Sequence, residues 1–322
     1  MLLAERTSQE PAKAGRASGF YRRRPYGLAV GADVGQPSSP LGILRKARFS
    51  SGAFMSGDGT ANGLWHSVVS DGNLIATAIH DGHDVRPEVA ALLSLGESEL
   101  LREEDPYTGA WTAVGQTRIV GQRSRFEVDL NRPREKAVYR TPADAWGLQV
   151  WRQEPGEGLV SASLAEYDAF YRYVHGILTD ASKRHGRFVV FDLHSYNHRR
   201  DGADSMPADP AVNPEVNIGT ASMDRARWAP VIDRFIADLR RFDFLGRHLD
   251  VRENVKFKGG HFPRWIHEQF PESGCALAIE FKKFFMDEWS GSCFHGEHQS
   301  ILDALRSCVP GVLEEVRRLA RG

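Results

Sequence analysis

Residues 188–199 read FVVFDLHSYNHR, and their setting decides the fold. Phe188 to Phe191 are apolar without alternation, the mark of a strand buried on both faces. The strand runs straight into Asp192, His194 and Ser195. Asp192 and His194 stand two apart, so a continued strand turns both to one side. Just upstream, residues 161–183 place Leu164, Tyr167, Phe170, Tyr171, Val174 and Leu178 on one broad face at helical spacing. Ser163 is the expected N-cap, with Glu166 three residues on, and Gly186 the expected stop. An amphipathic helix feeding a buried strand is the unit of a layered α/β sheet.

Outward from this unit the pattern repeats. Strand-length apolar runs occupy residues 74–79, 118–120, 126–130 and 277–281. A second helix is expected over 223–240. A third is expected over 301–319, with Pro310 interrupting it. Residues 1–60 are different: rich in Gly, Ser, Pro and Arg, with a basic triplet at Arg22, Arg23 and Arg24. They are read as a solvated, loosely packed extension, with a nucleic-acid arm or a misplaced start ahead of Met55 as the other readings. Residues 61–322 are read as one catalytic α/β domain.

The 322 residues carry a formal net charge of −1, so nothing global steers the chain to nucleic acid or to anionic membranes. No apolar run reaches the ~18–20 residues of a membrane span, and no secretory signal opens the chain. Three cysteines without a CxxC pair point to a reduced, cytoplasmic setting. Oligomeric state is not legible.

The residues suited to chemistry follow the strands, where α/β sheets gather their functional loops. His80 and His83 stand three apart on a Gly82-containing turn directly after the run 74–79, and both imidazoles could face one cation. The plain alternative is a polar turn with two surface histidines. His194, with Asp192 beside it, is a second ligand candidate, or else a core histidine. Glu103, Glu104 and Asp105 could each add an oxygen ligand, or simply end a helix. Arg123, Arg125, Arg132 and Arg134 crowd around Asp129 and Asn131, and arginine forks recognise carboxylates and oxyanions. Glu280 breaks an apolar strand, which is costly unless the carboxylate has a partner or a task. Its partner would be Lys282 or Lys283; its task would be that of a general base. Lys258, Gly259, Gly260 and His261 offer a flexible approach to a ligand, or a turn.

Taken in order, from about residue 74 to about residue 290, these segments resemble the N-formylglutamate amidohydrolase family. AIHDG, with His80 and Gly82, looks like that family's P-H-x-G. Residues 124–132, SRFEVDLNR, match S-R-x-x-x-D-x-N-R, and residues 192–195 match D-x-H-S. Lys258-Gly259-Gly260 and Ile279-Glu280 look like the late K-G-G and the glutamate-bearing strand. The same order is similar to the zinc carboxypeptidases, which carry D-L-N-R, H-S-Y and a late glutamate. The resemblance implies a three-layer sandwich with a mixed central sheet, zinc-carboxypeptidase-like. It implies zinc held by His80, His194 and one more residue, with Glu280 as general base and Arg125 polarising the scissile carbonyl. Asn131 and Arg132 would grip a substrate carboxylate, beside Lys258 and His261. The implied substrate is an N-acyl amino acid, N-formyl-L-glutamate first, with formate and L-glutamate as products. A carboxypeptidase-like peptidase and a metal-free binding protein are the competing readings. The chain departs from the pattern at two places: Ile79, not proline, precedes His80, and His83 stands where carboxypeptidases place a glutamate. The third ligand is therefore open between His83 and Glu104 or Asp105.

Overall fold

The computed structural model describes residues 63–321, so the extension expected over residues 1–60 lies outside the described residues. The described strands are β1 (Trp65–Val68), β2 (Leu74–Ala78), β3 (Thr117–Gly121), β4 (Phe188–Tyr196), β5 (Val216–Gly219), β6 (Val251–Glu253) and β7 (Gly274–Lys282). They form one mixed sheet in the order β1-β3-β2-β4-β7-β5-β6. Short helices α1 (Pro87–Ala90), α2 (Glu97–Glu103) and α3 (Thr108–Trp111) lie between β2 and β3. The longer ones are α4 (Glu157–His185), α5 (Ala229–Arg241), α6 (His261–Gln269) and α7 (His295–Arg321).

Every residue of β4 is buried, the apolar run 188–191 and the polar residues after it alike. Val189, Phe191 and Leu193 pack into a core shared with α5 and α7. Phe188 and Val190 point the other way, into a core shared with α4 and α6. The alternation therefore feeds two helix layers from one strand, which gives the expected three layers. Each such side chain contributes roughly 1.5–3 kcal/mol by burial. A third, smaller cluster joins Phe126, Tyr139 and Trp151 to Val89 and Val160 and braces the long excursion between β3 and α4.

Three parallel strands set the site. β2 pairs with β4, with Thr77 opposite Asp192. β4 pairs with β7, with His194 opposite Glu280. Their carboxyl ends are thus level, and the loops that follow them share one cleft. On the far side β5 runs antiparallel to β7, with Asn217 opposite Glu280.

Some expectations are corrected. Residues 126–130 are a turn rather than a strand: Glu127 N–H closes onto the Ser124 carbonyl, Asp129 N–H bonds the Ala137 carbonyl outside any ladder, and His80 and Arg125 hold the Asp129 carboxylate. Helix α4 begins at Glu157 with Gly156 as N-cap, so Ser163 lies inside it, where its buried hydroxyl accepts from Arg86. Gly186 ends α4 as expected, in a positive-φ cap. Helix α5 starts at Ala229, with Pro230 in its first turn, where the missing N–H costs nothing. Helix α7 runs straight through Pro310. Among the described residues no helix is long and apolar enough to cross a membrane, and all three cysteines are free thiols.

Candidate metal centre and active site

His80 follows β2 and His194 sits in β4, so the parallel pairing brings their rings to a centroid distance of 5.0 Å. Asp105, after α2, meets both. Its Oδ2 lies 3.5 Å from His80 Nδ1 and 3.0 Å from His194 Nδ1. All three side chains are buried, and their donor atoms lie within 4.8 Å of one another. A backbone bond from Asp105 N–H to the His80 carbonyl, 2.9 Å, ties the two segments together.

The opposite ring nitrogens are also spoken for. His80 Nε2 meets Asp129 Oδ1 at 2.8 Å, and His194 Nε2 meets Asp192 Oδ2 at 2.9 Å. Asp192 is fixed in turn by the Thr77 hydroxyl, 2.8 Å. Carboxylates that accept a hydrogen bond from Nε2–H leave both Nδ1 lone pairs aimed at one point, the usual way a protein orients imidazole ligands. Two imidazoles and one carboxylate with room for a fourth group suit zinc. The residues present therefore fit the metal that the motifs imply.

Asp129 is a fully buried hub. Burial alone would raise its carboxyl, but the Arg125 guanidinium, His80 and Tyr139 together hold it well below the usual carboxylate range. Arg125 donates to Asp129 Oδ2 at 2.8 Å and stacks over Trp146. Against the pull of its burial, Asp129 keeps the guanidinium charged.

Glu280 faces the cluster across the β4–β7 pair. Its carboxylate has no hydrogen bond or ion pair among the described residues, and burial pushes it up to about 7 despite the opposing pull of His194. Neither lysine beside it is its partner. Lys283, fully buried, donates to the carbonyls of Arg102 and Glu104.

His83 stands apart from this group. Its two nitrogens bind Glu104, at 2.5 Å, and Glu97, at 2.7 Å, and the Glu104 contact above all raises it to about 9. Glu104 also accepts from Ser124. Of the candidates left open by the sequence, Asp105 is the one that joins the histidines. Gly82 serves the backbone here: a Cβ on it would meet the Gln122 carbonyl carbon at 2.3 Å.

A cavity of about 350 Å³ opens over the cluster, and His80, Asp105, His194 and Glu280 line it. Arg125, Asn131, Arg132 and Lys258 line it too, whereas Arg123 and Arg134 turn away into ion pairs with Glu166 and Asp168. Asn131 Oδ1 is occupied by the Phe262 N–H, 2.9 Å, which leaves its amide nitrogen toward a ligand. Gly260 lets that approach happen, since a Cβ there would lie 2.1 Å from the Asn131 oxygen. His261 is not a lining residue; it opens α6 and its ring lies 6.0 Å from Tyr171. The cavity also takes Lys283, and Trp146, Asn197, Arg200 and Lys256, which nothing in the sequence pattern marks. Trp146 lies between β3 and α4, Asn197 and Arg200 follow β4, and Lys256 follows β6, so only the fold brings them together.

The family model described as N-formylglutamate amidohydrolase matches residues 72–286. The chain belongs to the N-formylglutamate amidohydrolase family. It is accordingly a hydrolase of carbon–nitrogen bonds other than peptide bonds. The solved N-formylglutamate amidohydrolase of Ralstonia eutropha JMP134 is similar in fold, with a TM-score of 0.62 at 15% identity over 80% of this chain and 99% of that one. A gene product of Agrobacterium tumefaciens has a TM-score of 0.56 at 17% identity over 79% of this chain and 96% of that one. No curated protein matches the chain.

Proposed function

We propose that this member of the family is a zinc-dependent amidase that hydrolyses N-formyl-L-glutamate to formate and L-glutamate. The observation that carries the reading is the register of β4 and β7, which sets the unpaired carboxylate of Glu280 beside the His80, Asp105 and His194 donors. Zinc, when bound, would supply Lewis acidity to the acyl oxygen and make water a better acid.

The chain's own residues do the rest. Glu280 takes a proton from the attacking water as its oxygen bonds to the formyl carbon. The same carboxyl delivers that proton to the amide nitrogen as the carbon–nitrogen bond breaks. A carboxyl raised to about 7 is suited to both halves of that transfer. Arg125 donates to the oxyanion that forms on the acyl oxygen, with Asp129 holding the guanidinium in place. Arg132, with the Asn131 amide nitrogen, receives the α-carboxylate of the substrate. Asp129 and Asp192 keep the histidines in one tautomer.

A cavity of about 350 Å³ is at the small end of the ~300–1,000 Å³ range for small-molecule sites, which favours a free acyl amino acid over a peptide. The test is zinc content together with turnover of N-formyl-L-glutamate and of a short peptide. One zinc per chain and turnover of the formyl compound are expected. Glu280→Gln should lower kcat by roughly 10²–10⁴-fold, the scale of general-base catalysis. Full activity in that variant would overturn the mechanism; preference for the peptide would favour a carboxypeptidase-like enzyme.

A further inference from the structure

The cavity has cations on two sides, and the sheet order separates them. Arg125 and Arg132 follow β3, on one side of the β2–β4–β7 centre. Lys256 follows β6, on the other side. Four of the six cavity cations are already engaged, Arg132 with Asp129 and the Asp144 carbonyl among them, and the two without a carboxylate partner among the described residues, Lys256 and Lys258, share the loop after β6. Arg125 is paired with Asp129, Arg200 with Glu103, and Lys283 with backbone carbonyls. Lys256 has no carboxylate partner among the described residues; its ammonium touches the neutral Asn213 oxygen and lies over the rings of Tyr196, at 5.3 Å, and Phe257, at 5.6 Å.

This lysine is exposed, yet its backbone is fixed. Asn217 is fully buried in β5, opposite Glu280. Its side-chain oxygen accepts from Val255 N–H at 3.0 Å and from Lys256 N–H at 2.8 Å. Its side-chain nitrogen donates to the Phe257 carbonyl at 2.8 Å. One buried amide thus clamps the loop 255–257 against the strand that neighbours the catalytic carboxylate. Although the residue is exposed, partial desolvation of its ammonium, with Arg200 and Lys282 nearby, draws Lys256 below the ordinary lysine range. A bound anion relieves that repulsion.

We propose that Lys256 is a specificity residue that reads a second carboxylate of the substrate, the side-chain carboxylate of an acidic N-acyl amino acid. The assignment rests on the reading that this cavity binds an N-acyl amino acid, with the α-carboxylate at Arg132 and the acyl carbon at Glu280. A neutral side chain would leave Lys256 without its anion and forfeit a charge-assisted contact.

The experiment compares N-formyl-L-glutamate with N-formyl-L-glutamine, which has the same shape and one charge fewer, in the wild type and in Lys256→Met. The wild type is expected to favour the acidic compound by about tenfold or more in kcat/KM, and Lys256→Met to bring that ratio near one, chiefly through KM. An unchanged ratio in Lys256→Met overturns the assignment. Calorimetry with glutarate and with its monoamide, glutaramate, decides the matter independently of turnover. If the wild type hydrolyses neither formyl compound, the proposed activity fails. Lys256 then still stands if the wild type binds glutarate more tightly than glutaramate and Lys256→Met does not. An equal preference in both proteins, or none in the wild type, removes it.

Discussion

At the scale of single residues, the site is built from side chains that each satisfy two demands. Asp105 faces both histidines through one oxygen and accepts from Ser195 through the other, at 3.3 Å. The chain just before it is pinned by Lys283, whose ammonium bonds the carbonyls of Arg102 and Glu104 at the end of α2. A cation at a helix C-terminus is favourable in itself. Here it also sets where Asp105 can reach. Lys283→Met leaves the buried Glu104 carbonyl and the half-buried Arg102 carbonyl without their donor and frees the Asp105 segment. On the proposed reading that the site takes zinc, the substitution should lower zinc affinity by roughly 10–100-fold, the loss typical of removing a supporting partner of a metal ligand. Competition with a chromophoric chelator measures this, and Lys283→Arg, which keeps donors at that point, should recover part of it. Wild-type affinity in Lys283→Met would show that Asp105 is positioned by other means. The sequence offers Lys283 only as a partner for Glu280; its hold on the chain before Asp105 depends on the β2–β4–β7 pairing, which no local pattern shows. His80, His194 and Glu280 were legible because each ends or breaks an apolar strand, a place where a polar side chain needs a reason.

At the scale of elements, legibility followed burial. β4 and β7 announce themselves through apolar runs, 188–191 and 275–279, that precede their polar residues, and they pair at the middle of the sheet. β1, β5 and β6 have three or four residues each and lie toward the sheet edges, too short to set up a pattern. The apolar positions in 126–130 misled for a different reason: Phe126, Val128 and Leu130 are buried, but in two separate clusters on a turn. Pro310 shows tertiary packing overriding a local rule. Cys308 and Val312 are buried on either side of it, and they hold α7 in its core while the ring itself faces solvent. The helix therefore tolerates a missing N–H and the clash of the ring with the preceding turn, which together cost about 3 kcal/mol. Pro310→Ala restores the donor and removes the clash, while the unfolded chain gains about 0.4–1 kcal/mol of entropy that opposes the gain. A net stabilisation of about 1–3 kcal/mol is expected in denaturant unfolding. A variant no more stable than the wild type would mean that the helix is already relaxed around the proline.

At the scale of the whole molecule, the layers are joined by polar contacts that depend on protonation. His267 is buried in α6 and bridges three parts of the fold. Its Nε2 accepts the Ala276 N–H of β7 at 2.9 Å, and its Nδ1 meets the Ser222 hydroxyl at 2.9 Å. Accepting from a backbone N–H requires a neutral ring, and burial accordingly lowers its pKa from 6.5 to about 4. The unfolded chain, with the higher pKa, binds the proton first as pH falls. Protonation therefore costs the native state nothing above pH 6.5, removes stability steadily between 6.5 and about 4, and removes no more below that. The difference of about 2.5 units corresponds to roughly 3 kcal/mol at most. His267→Gln keeps an acceptor for Ala276 without a titrating ring. It should be less stable than the wild type at pH 7.5, since the amide fits the site less well, and should gain on it as pH falls. The gap between the two unfolding free energies is expected to narrow, or to change sign, from pH 6.5 to 4.5. A gap that stays constant across that range would mean that the ring charges as readily inside the fold as outside it, and that α6 is held to β7 by packing alone.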